Sequence, residues 1–372
     1  MRHFFLGMAA NYEDGEWLRH LFTVGTRRDS VKLKEYLRKK YNGKAILCKN
    51  GRSALALALK AYFEPGDQIL VNGFTCYAVF EAIKAAEMQP VFVDISKENL
   101  NFTPETIQKA LSDNPNAKGI IIQNTLGNPA DIPEIEELAK QHNLTIIEDL
   151  AHSVGVRYSD GREAGTVGAA TICSFGKEKS IDTISGGALI LREPSRHDIE
   201  APSKVPKLSD HLRAKCYPMF GATCRMLSYI GVGGALMRLF VKIHWVEKSA
   251  DNRLDITRRP SWFQTKLAFR QFEEKRRSGE PPIREFCLVE KRAELLRKLR
   301  QKGYYFDGFW YEKPVSPERY YKKVHFPEDE CPNSAYIASH IINLPNYYTR
   351  RDLKPALKLI NSYKVEGKDE HK

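Results

Sequence analysis

The chain has 372 residues, 42% of them apolar, which allows a substantial buried core and excludes a disordered or low-complexity protein. Its 58 lysines and arginines against 46 carboxylates give a formal charge of +12, which suits an anionic ligand, a nucleic acid or an acidic membrane surface without choosing among them. Seven scattered cysteines with no CxxC pair exclude a disulfide framework and a cysteine-rich zinc site, and fit a reducing, cytoplasmic setting.

The N-terminal apolar stretch to Ala10 meets Asn11, Tyr12, Glu13 and Asp14 at once, which leaves too short a core for a signal peptide. Ser30 to Tyr41 reads as a charged helix and Ala45 to Cys48 as a strand. Gly51-Arg52-Ser53 then opens a helix of good formers, Ala54 to Leu59. This order places backbone amides and the Ser53 hydroxyl at a helix N-terminus, where an anion is favoured. Further strands are expected at Gln68–Val71, Pro90–Asp94, Gly119–Ile122, Leu144–Asp149, Ala169–Cys173 and Ala188–Leu191. Helices are expected at Cys76–Ala86, Thr103–Leu111 and Ile132–His142. Uninterrupted apolar strands alternating with helices indicate a mostly parallel sheet covered on both faces, whose ligands gather beyond the carboxyl ends of the strands. Asn124, Asp149 and Ser174-Phe175 all fall at such ends.

From about Pro194 the pattern changes to a basic, proline-bearing loop and then an apolar segment, Cys216 to Trp245, broken by Arg225, Arg238 and Lys242. Its longest uncharged stretch, Met226 to Met237, is 12 residues, against the roughly 20 a spanning helix needs. A helical hairpin packed on the body and an interfacial membrane contact both remain open. Trp262 to Arg276 reads as a long helix, Leu288 to Lys302 and Pro332 to Ile341 as helices of a smaller domain, and Val365 to Lys372 as a charged, frayed tail. The expected division is a large domain over residues 1–255 and a connecting helix with a small C-terminal domain over 256–372.

Two side chains have the makings of a pyridoxal-phosphate site: a lysine to carry the cofactor aldehyde and a carboxylate to keep the pyridine nitrogen protonated. Asp149 ends an apolar strand, and a buried carboxylate needs a partner such as a protonated ring nitrogen. Lys179 lies on the loop between Ser174-Phe175 and Gly186-Gly187; on spacing alone Lys177 rivals it.

Taken in order, several stretches resemble the DegT/StrS-type (DegT/DnrJ/EryC/StrS) aminotransferases. They are Gly51-Arg52-Ser53-Ala54-Leu55, Pro65-Gly66-Asp67-Gln68-Ile69, Val91-Phe92-Val93-Asp94, Gly127-Asn128-Pro129-Ala130-Asp131-Ile132, Glu148-Asp149-Leu150-Ala151-His152-Ser153-Val154-Gly155, and Ser174-Phe175 through Lys179 to Gly186-Gly187. The likeness is dense from about residue 45 to 192 and returns at Leu344-Pro345. It implies a fold-type-I pyridoxal-phosphate transferase, α/β with a mostly parallel central sheet and a smaller α+β C-terminal domain. The family register selects Lys179 over Lys177 as the residue that bonds the cofactor as a Schiff base. It gives Asp149 the pyridine nitrogen and His152 a place near the ring. Arg52, Ser53 and Ser174 fall where the family holds phosphate, the first two chiefly through backbone groups, and Asn124 where it touches the cofactor rim.

The chain departs from the family pattern in several places. Cys76 occupies the position of the usual stacking aromatic, with Tyr77 one place later as a substitute wall. Ser185 replaces an acidic residue before the paired glycines. The family's cross-subunit Asn and Arg fall at Thr257 and Arg259, so Arg259 is expected as an anion contact from a neighbouring subunit. The segment Cys216 to Trp245 has no counterpart, and the match over Pro281 to Phe326 is sparse. The resemblance implies a homodimer that moves an amino group from an amino acid, glutamate first, to a keto sugar carried on a nucleotide. Cytoplasmic residence, peripheral to the inner face of the cell membrane, and no nucleic-acid partner are expected. The alternatives are a sugar dehydratase, which Lys179 disfavours because those enzymes carry histidine there, and a noncatalytic regulatory protein on the same fold.

Overall fold

Runs such as Ile120-Ile121-Ile122 and Ala188-Leu189-Ile190 are fully buried, as strands covered on both faces require. In the computed structural model, which describes residues 3–4, 12, 15–192, 194–246, 253–278, 284–306, 310–345 and 350–365, they belong to one seven-stranded sheet. Its strands are β1 (Lys44–Cys48), β2 (Gln68–Asn72), β3 (Gln89–Val93), β4 (Gly119–Ile122), β5 (Thr145–Asp149), β6 (Ala170–Ser174) and β7 (Gly187–Leu191), in the order β1-β7-β6-β5-β4-β2-β3. All pairings from β6 through β3 are parallel, and β7 runs antiparallel to both its neighbours, so the expected mostly parallel sheet is present.

One face is covered by the helices Gly51–Tyr62 and Tyr77–Ala85, with Leu55, Leu59, Val79 and Ile83 in a common core with Ile121, Ile147 and Leu189. The other face carries Arg27–Tyr41, Pro104–Asp113, Ile132–Gln141 and Trp262–Ser278, packed through Leu33, Leu37, Ile107, Ile135 and Phe272. Element ends differ from the sequence expectation by a few residues where caps act. Arg27–Tyr41 starts early because the Thr26 N–H donates to Asp29 Oδ2 at 2.7 Å, and Thr103 opens its helix as expected by accepting the Thr106 N–H.

The segment that matched nothing in sequence forms a helical hairpin, Leu208–Ser228 followed by Gly233–Lys242. Its two helices meet at Gly233, where a Cβ would lie 1.9 Å from the Cys224 carbonyl oxygen, so only glycine permits that approach. Ala214, Tyr217 and Val246 bury against Ile184, Phe263 and Leu267 of the body. Among the described residues no helix is long and apolar enough to cross a membrane. All seven cysteines are free.

Toward the C-terminus, Arg284–Leu288 pairs antiparallel with Ile341–Pro345, and the helices Arg292–Gln301 and Arg350–Asn361 enclose a separate core of Val289, Leu295, Leu299, Ile342 and Ile360. His3–Phe4 pairs in parallel with Tyr304–Tyr305; the rest of the N-terminal apolar stretch and the charged tail beyond residue 365 lie outside the described residues.

Candidate active site

Strand β5 ends in two adjacent carboxylates that point opposite ways, as a strand's alternation demands. Glu148 turns into the body, where it accepts bonds from Tyr158 Oη, the N–H groups of Gly165, Val167 and Gly168, and Arg192 Nη2 at 3.2 Å. It is a satisfied structural anion. Asp149 turns into a cleft of about 190 Å³ at the carboxyl edge of the sheet. Only 4% exposed, it accepts the Ala151 N–H at 2.9 Å, and burial raises its pKa from 3.8 to about 6.

Lys179 enters the same cleft from the β6–β7 loop. That loop is held from several directions. Asp182 accepts the N–H groups of Glu178 and Ile184 and the hydroxyl of Tyr12, while the Gln271 side chain brackets the Asp182 backbone with two bonds of 2.7 Å. Lys179 Nζ lies 2.9 Å from His152 Nε2. His152 Nδ1 already accepts the Leu126 N–H at 3.1 Å, so the proton of a neutral imidazole sits on Nε2 and points at Nζ. Such a contact requires a lone pair on the lysine and so favours its neutral form. Burial pushes the pKa of both groups in the corresponding direction, down for Lys179 and down for His152. Lys177 also lines the cleft, with its Nζ over the Tyr217 ring of the hairpin at 4.1 Å rather than at His152.

The remaining sequence candidates divide. Ser174 and Arg52 line the cleft, and the Arg52 guanidinium is paired with Glu81. A Cβ on Gly51 would stand 2.7 Å from Ser174 Cβ, so glycine lets the helix N-terminus close against the end of β6 and makes one cradle of the two. Ser53 does not reach that cradle. Asn50 is the N-cap and takes the Ser53 N–H at 2.8 Å, while Ser53 Oγ receives the Asp255 N–H, leaving both groups committed away from the cleft. Tyr77 also turns away, stacking on Tyr320 at 4.3 Å, and Cys76 lines the cleft in its place. Asn124 is fully buried in the body, donating to Tyr158 Oη at 3.0 Å and accepting the Ala130 N–H, and its neighbour Gln123 faces the cleft. Arg259 lies beside a smaller pocket that shares Lys49, Ser185 and Asp210 with the cleft, its guanidinium over the Trp262 ring; Thr257 serves a local turn around Asp255.

Sequence reasoning missed the wall opposite. Trp310 lies parallel to His152 at 4.5 Å, 4.4 Å from Lys179 Nζ, and carries the Arg284 guanidinium on its face at 3.5 Å. Arg284, 2% exposed, is paired with Glu178, the residue before the lysine. The hairpin contributes Arg213, Ala214, Tyr217 and Trp245. No short motif marks these residues; only the fold brings them to one place.

A buried carboxylate made reluctant to ionise, a lysine pushed toward its neutral form in the same cleft, and a helix-terminal cradle faced by a serine hydroxyl fit the ring nitrogen, aldehyde and phosphate of pyridoxal phosphate. The fold and site together define a pyridoxal-phosphate protein of the sheet-based transferase class. The chain belongs to the DegT/DnrJ/EryC1/StrS aminotransferase family, whose model matches residues 12–353, and that family is pyridoxal-phosphate-dependent. A pleiotropic regulatory protein of Geobacillus stearothermophilus is 35% identical over 147 residues, 39% of this chain and 39% of that protein. A UDP-N-acetyl-3-dehydro-alpha-D-glucosamine 3-aminotransferase of Acidithiobacillus ferrooxidans is 34% identical over 165 residues, 44% of this chain and 43% of that protein. The chain thus spans about two-fifths of the length of these curated relatives. A solved DegT DnrJ EryC1 StrS aminotransferase from Brucella abortus shares the fold at a TM-score of 0.67, with 20% identity over 97% of this chain and 99% of that one.

Proposed function

We propose that the protein is an aminotransferase that moves an amino group from an amino acid, glutamate first, to a keto sugar carried on a nucleotide. The observation that carries the reading is the convergence of Lys179, His152 and Asp149 in one cleft of a chain of this family. Lys179 would hold the aldehyde of pyridoxal phosphate, Asp149 its ring nitrogen, and Ser174 with the Gly51-Arg52 backbone its phosphate. When bound, the cofactor supplies a protonated ring that draws electrons from the reacting carbon. Asp149 keeps a proton at the ring nitrogen, and the positive partner draws its pKa back down. Lys179 Nζ, displaced from the aldehyde by the donor amine and oriented by the His152 Nε2–H, would carry a proton from the donor Cα to the former aldehyde carbon, and in the acceptor half from that carbon to the acceptor carbon. Trp310 and Tyr311 close the cleft against water, and Lys49, Lys177 and Arg213 outnumber Asp210 along its lining, a positive balance that suits an anionic acceptor.

The same proposal takes residues 1–255 as the cofactor-binding domain and 256–372 as connecting helix and small domain, a division supported by the separate C-terminal core. It takes the active form as a homodimer in which Arg259, half-buried at a pocket adjoining the cleft, contacts an anion bound by the partner copy. It places the protein in the cytoplasm, peripheral to the inner face of the membrane. The test is mass spectrometry of products after incubation with pyridoxal phosphate, glutamate and a panel of nucleotide-linked keto sugars. An aminated sugar that Lys179→Ala does not form is expected; elimination product, or no product across the panel, would overturn the reading.

A further inference from the structure

Exposed apolar side chains gather on one module. Leu208, Leu212, Met226, Tyr229, Ile230, Val232, Leu239, Ile243 and Trp245 are all exposed on the hairpin or its immediate exit. The turn between the two helices is the most apolar part, with Ile230 73%, Met226 65% and Tyr229 61% exposed. A clustered patch of this kind marks a surface that is covered in use. Its charge is one-sided: from His211 to Trp245 the sequence holds Arg213, Lys215, Arg225, Arg238 and Lys242 and no aspartate or glutamate. Arg238 and Lys242 are exposed on the second helix beside Leu239 and Ile243.

We propose that this hairpin docks the protein on an anionic lipid bilayer, with the 226–232 turn dipping into the headgroup region and Arg238 and Lys242 over it. Apolar side chains at the tip, Tyr229 among them, and cations alongside are the composition of an interfacial anchor. The main rival occupant is a second copy of the chain. A two-fold pairing of this face with itself would set the cations of the turn and second helix against each other, and the hairpin's one carboxylate, Asp210, sits at the opposite end of the first helix beside Lys49 and Arg213, so the pairing is costly at an interface. An acidic lipid surface supplies the missing charge. The module that meets the bilayer also walls the cleft through Arg213, Ala214, Tyr217 and Trp245, so docking would leave the cleft at the membrane surface. The inference does not depend on the proposed transamination, because vesicle binding is read without any substrate.

The test is co-sedimentation of the full-length, cofactor-loaded protein with vesicles of equal parts phosphatidylcholine and phosphatidylglycerol, and with phosphatidylcholine alone. Binding to the acidic vesicles only, weakened by salt, is expected. Ile230→Asp should weaken it at least about tenfold, by removing an inserted apolar group and adding a repelled charge. Arg238→Glu with Lys242→Glu should weaken it by more than about 25-fold, at roughly fivefold for each cation removed. All three positions are exposed, so near-ultraviolet circular dichroism should match the wild type and separate lost docking from lost folding. Absence of wild-type binding to acidic vesicles, or binding that the variants leave unchanged, would overturn the proposal. So would a dimer, seen by sedimentation velocity, that Ile230→Asp splits while acidic vesicles bind nothing.

Discussion

Asp149→Asn should make the cofactor-free protein more stable, not less, at neutral pH. Burial raises this carboxyl from 3.8 to about 6, so between those pH values the folded chain without cofactor holds a proton that the unfolded chain has released, and above them it carries a buried charge. The stability tied to that proton is fully present below about pH 3.8 and is lost as pH rises through about 6. At 1.36 kcal/mol for each tenfold change in proton affinity, the interval amounts to about 3 kcal/mol. Asparagine keeps the oxygen that accepts the Ala151 N–H and removes the charge, so the variant escapes the loss. The difference in unfolding free energy between variant and wild type should be near zero at pH 3.5, open between pH 4 and 6, and reach about 3 kcal/mol at pH 8. For 372 residues that is about 4 °C in the melting temperature. Urea denaturation of both cofactor-free proteins across this range measures it, and comparing the pair at each pH cancels the other titrating groups. Saturating pyridoxal phosphate should reverse the order, since the wild type gains an ion pair and the variant does not. A variant that is less stable than wild type at pH 8 without cofactor, or a difference that does not change with pH, would refute the reasoning.

Three further outcomes follow from other contacts. His152→Leu removes the N–H that favours the neutral form of Lys179, so the acid limb of the rate of cofactor capture by the cofactor-free protein should move to higher pH, while His152→Gln, which keeps a donor, should move it less; stopped-flow absorbance reads both. Glu148→Ala leaves three backbone N–H groups without their acceptor and takes the carboxylate from Arg192, which keeps neutral oxygen partners, and should cost about 3–5 kcal/mol in chemical denaturation, well beyond a surface change. Gly51→Ala drives a methyl group to within 2.7 Å of Ser174 Cβ; it should cost about 1–3 kcal/mol of stability and weaken cofactor affinity measured by equilibrium dialysis, whereas an unchanged affinity would remove the cradle from the account.

Much of the sheet was legible because each of its strands is short, apolar and bounded by turn residues, so local pattern and tertiary burial agree. Asp149 was legible for the same reason: a carboxylate that closes an apolar strand has few places to go. The structure places side chains otherwise than the sequence suggests where one residue of phase or one long-range contact decides. Asn124 and Gln123 are neighbours at the end of β4, and a left-handed turn at Asn124, with φ of 46°, sends its amide into the body and leaves Gln123 at the cleft. Tyr77 was free in sequence but finds Tyr320, far along the chain. Ser53 loses its amide to Asn50, a cap three residues earlier that competes with any anion. Trp310 and Arg284 carry no motif, and they reach Lys179 only because the C-terminal segment folds back over the cleft. The hairpin was visible as an apolar segment with interrupting charges, but its place as a wall of the cleft depends on Tyr217 and Val246 finding Ile184 and Phe263.

The whole reading of the cleft depends on the amine of Lys179 holding the cofactor. Borohydride reduction of the cofactor-loaded protein, followed by peptide mass spectrometry, locates the bond. One phosphopyridoxyl group on Lys179, absent from Lys179→Ala and retained in Lys177→Ala, is expected. A label on Lys177 or another lysine, or no label under saturating cofactor, would show that Lys179 is not the anchor.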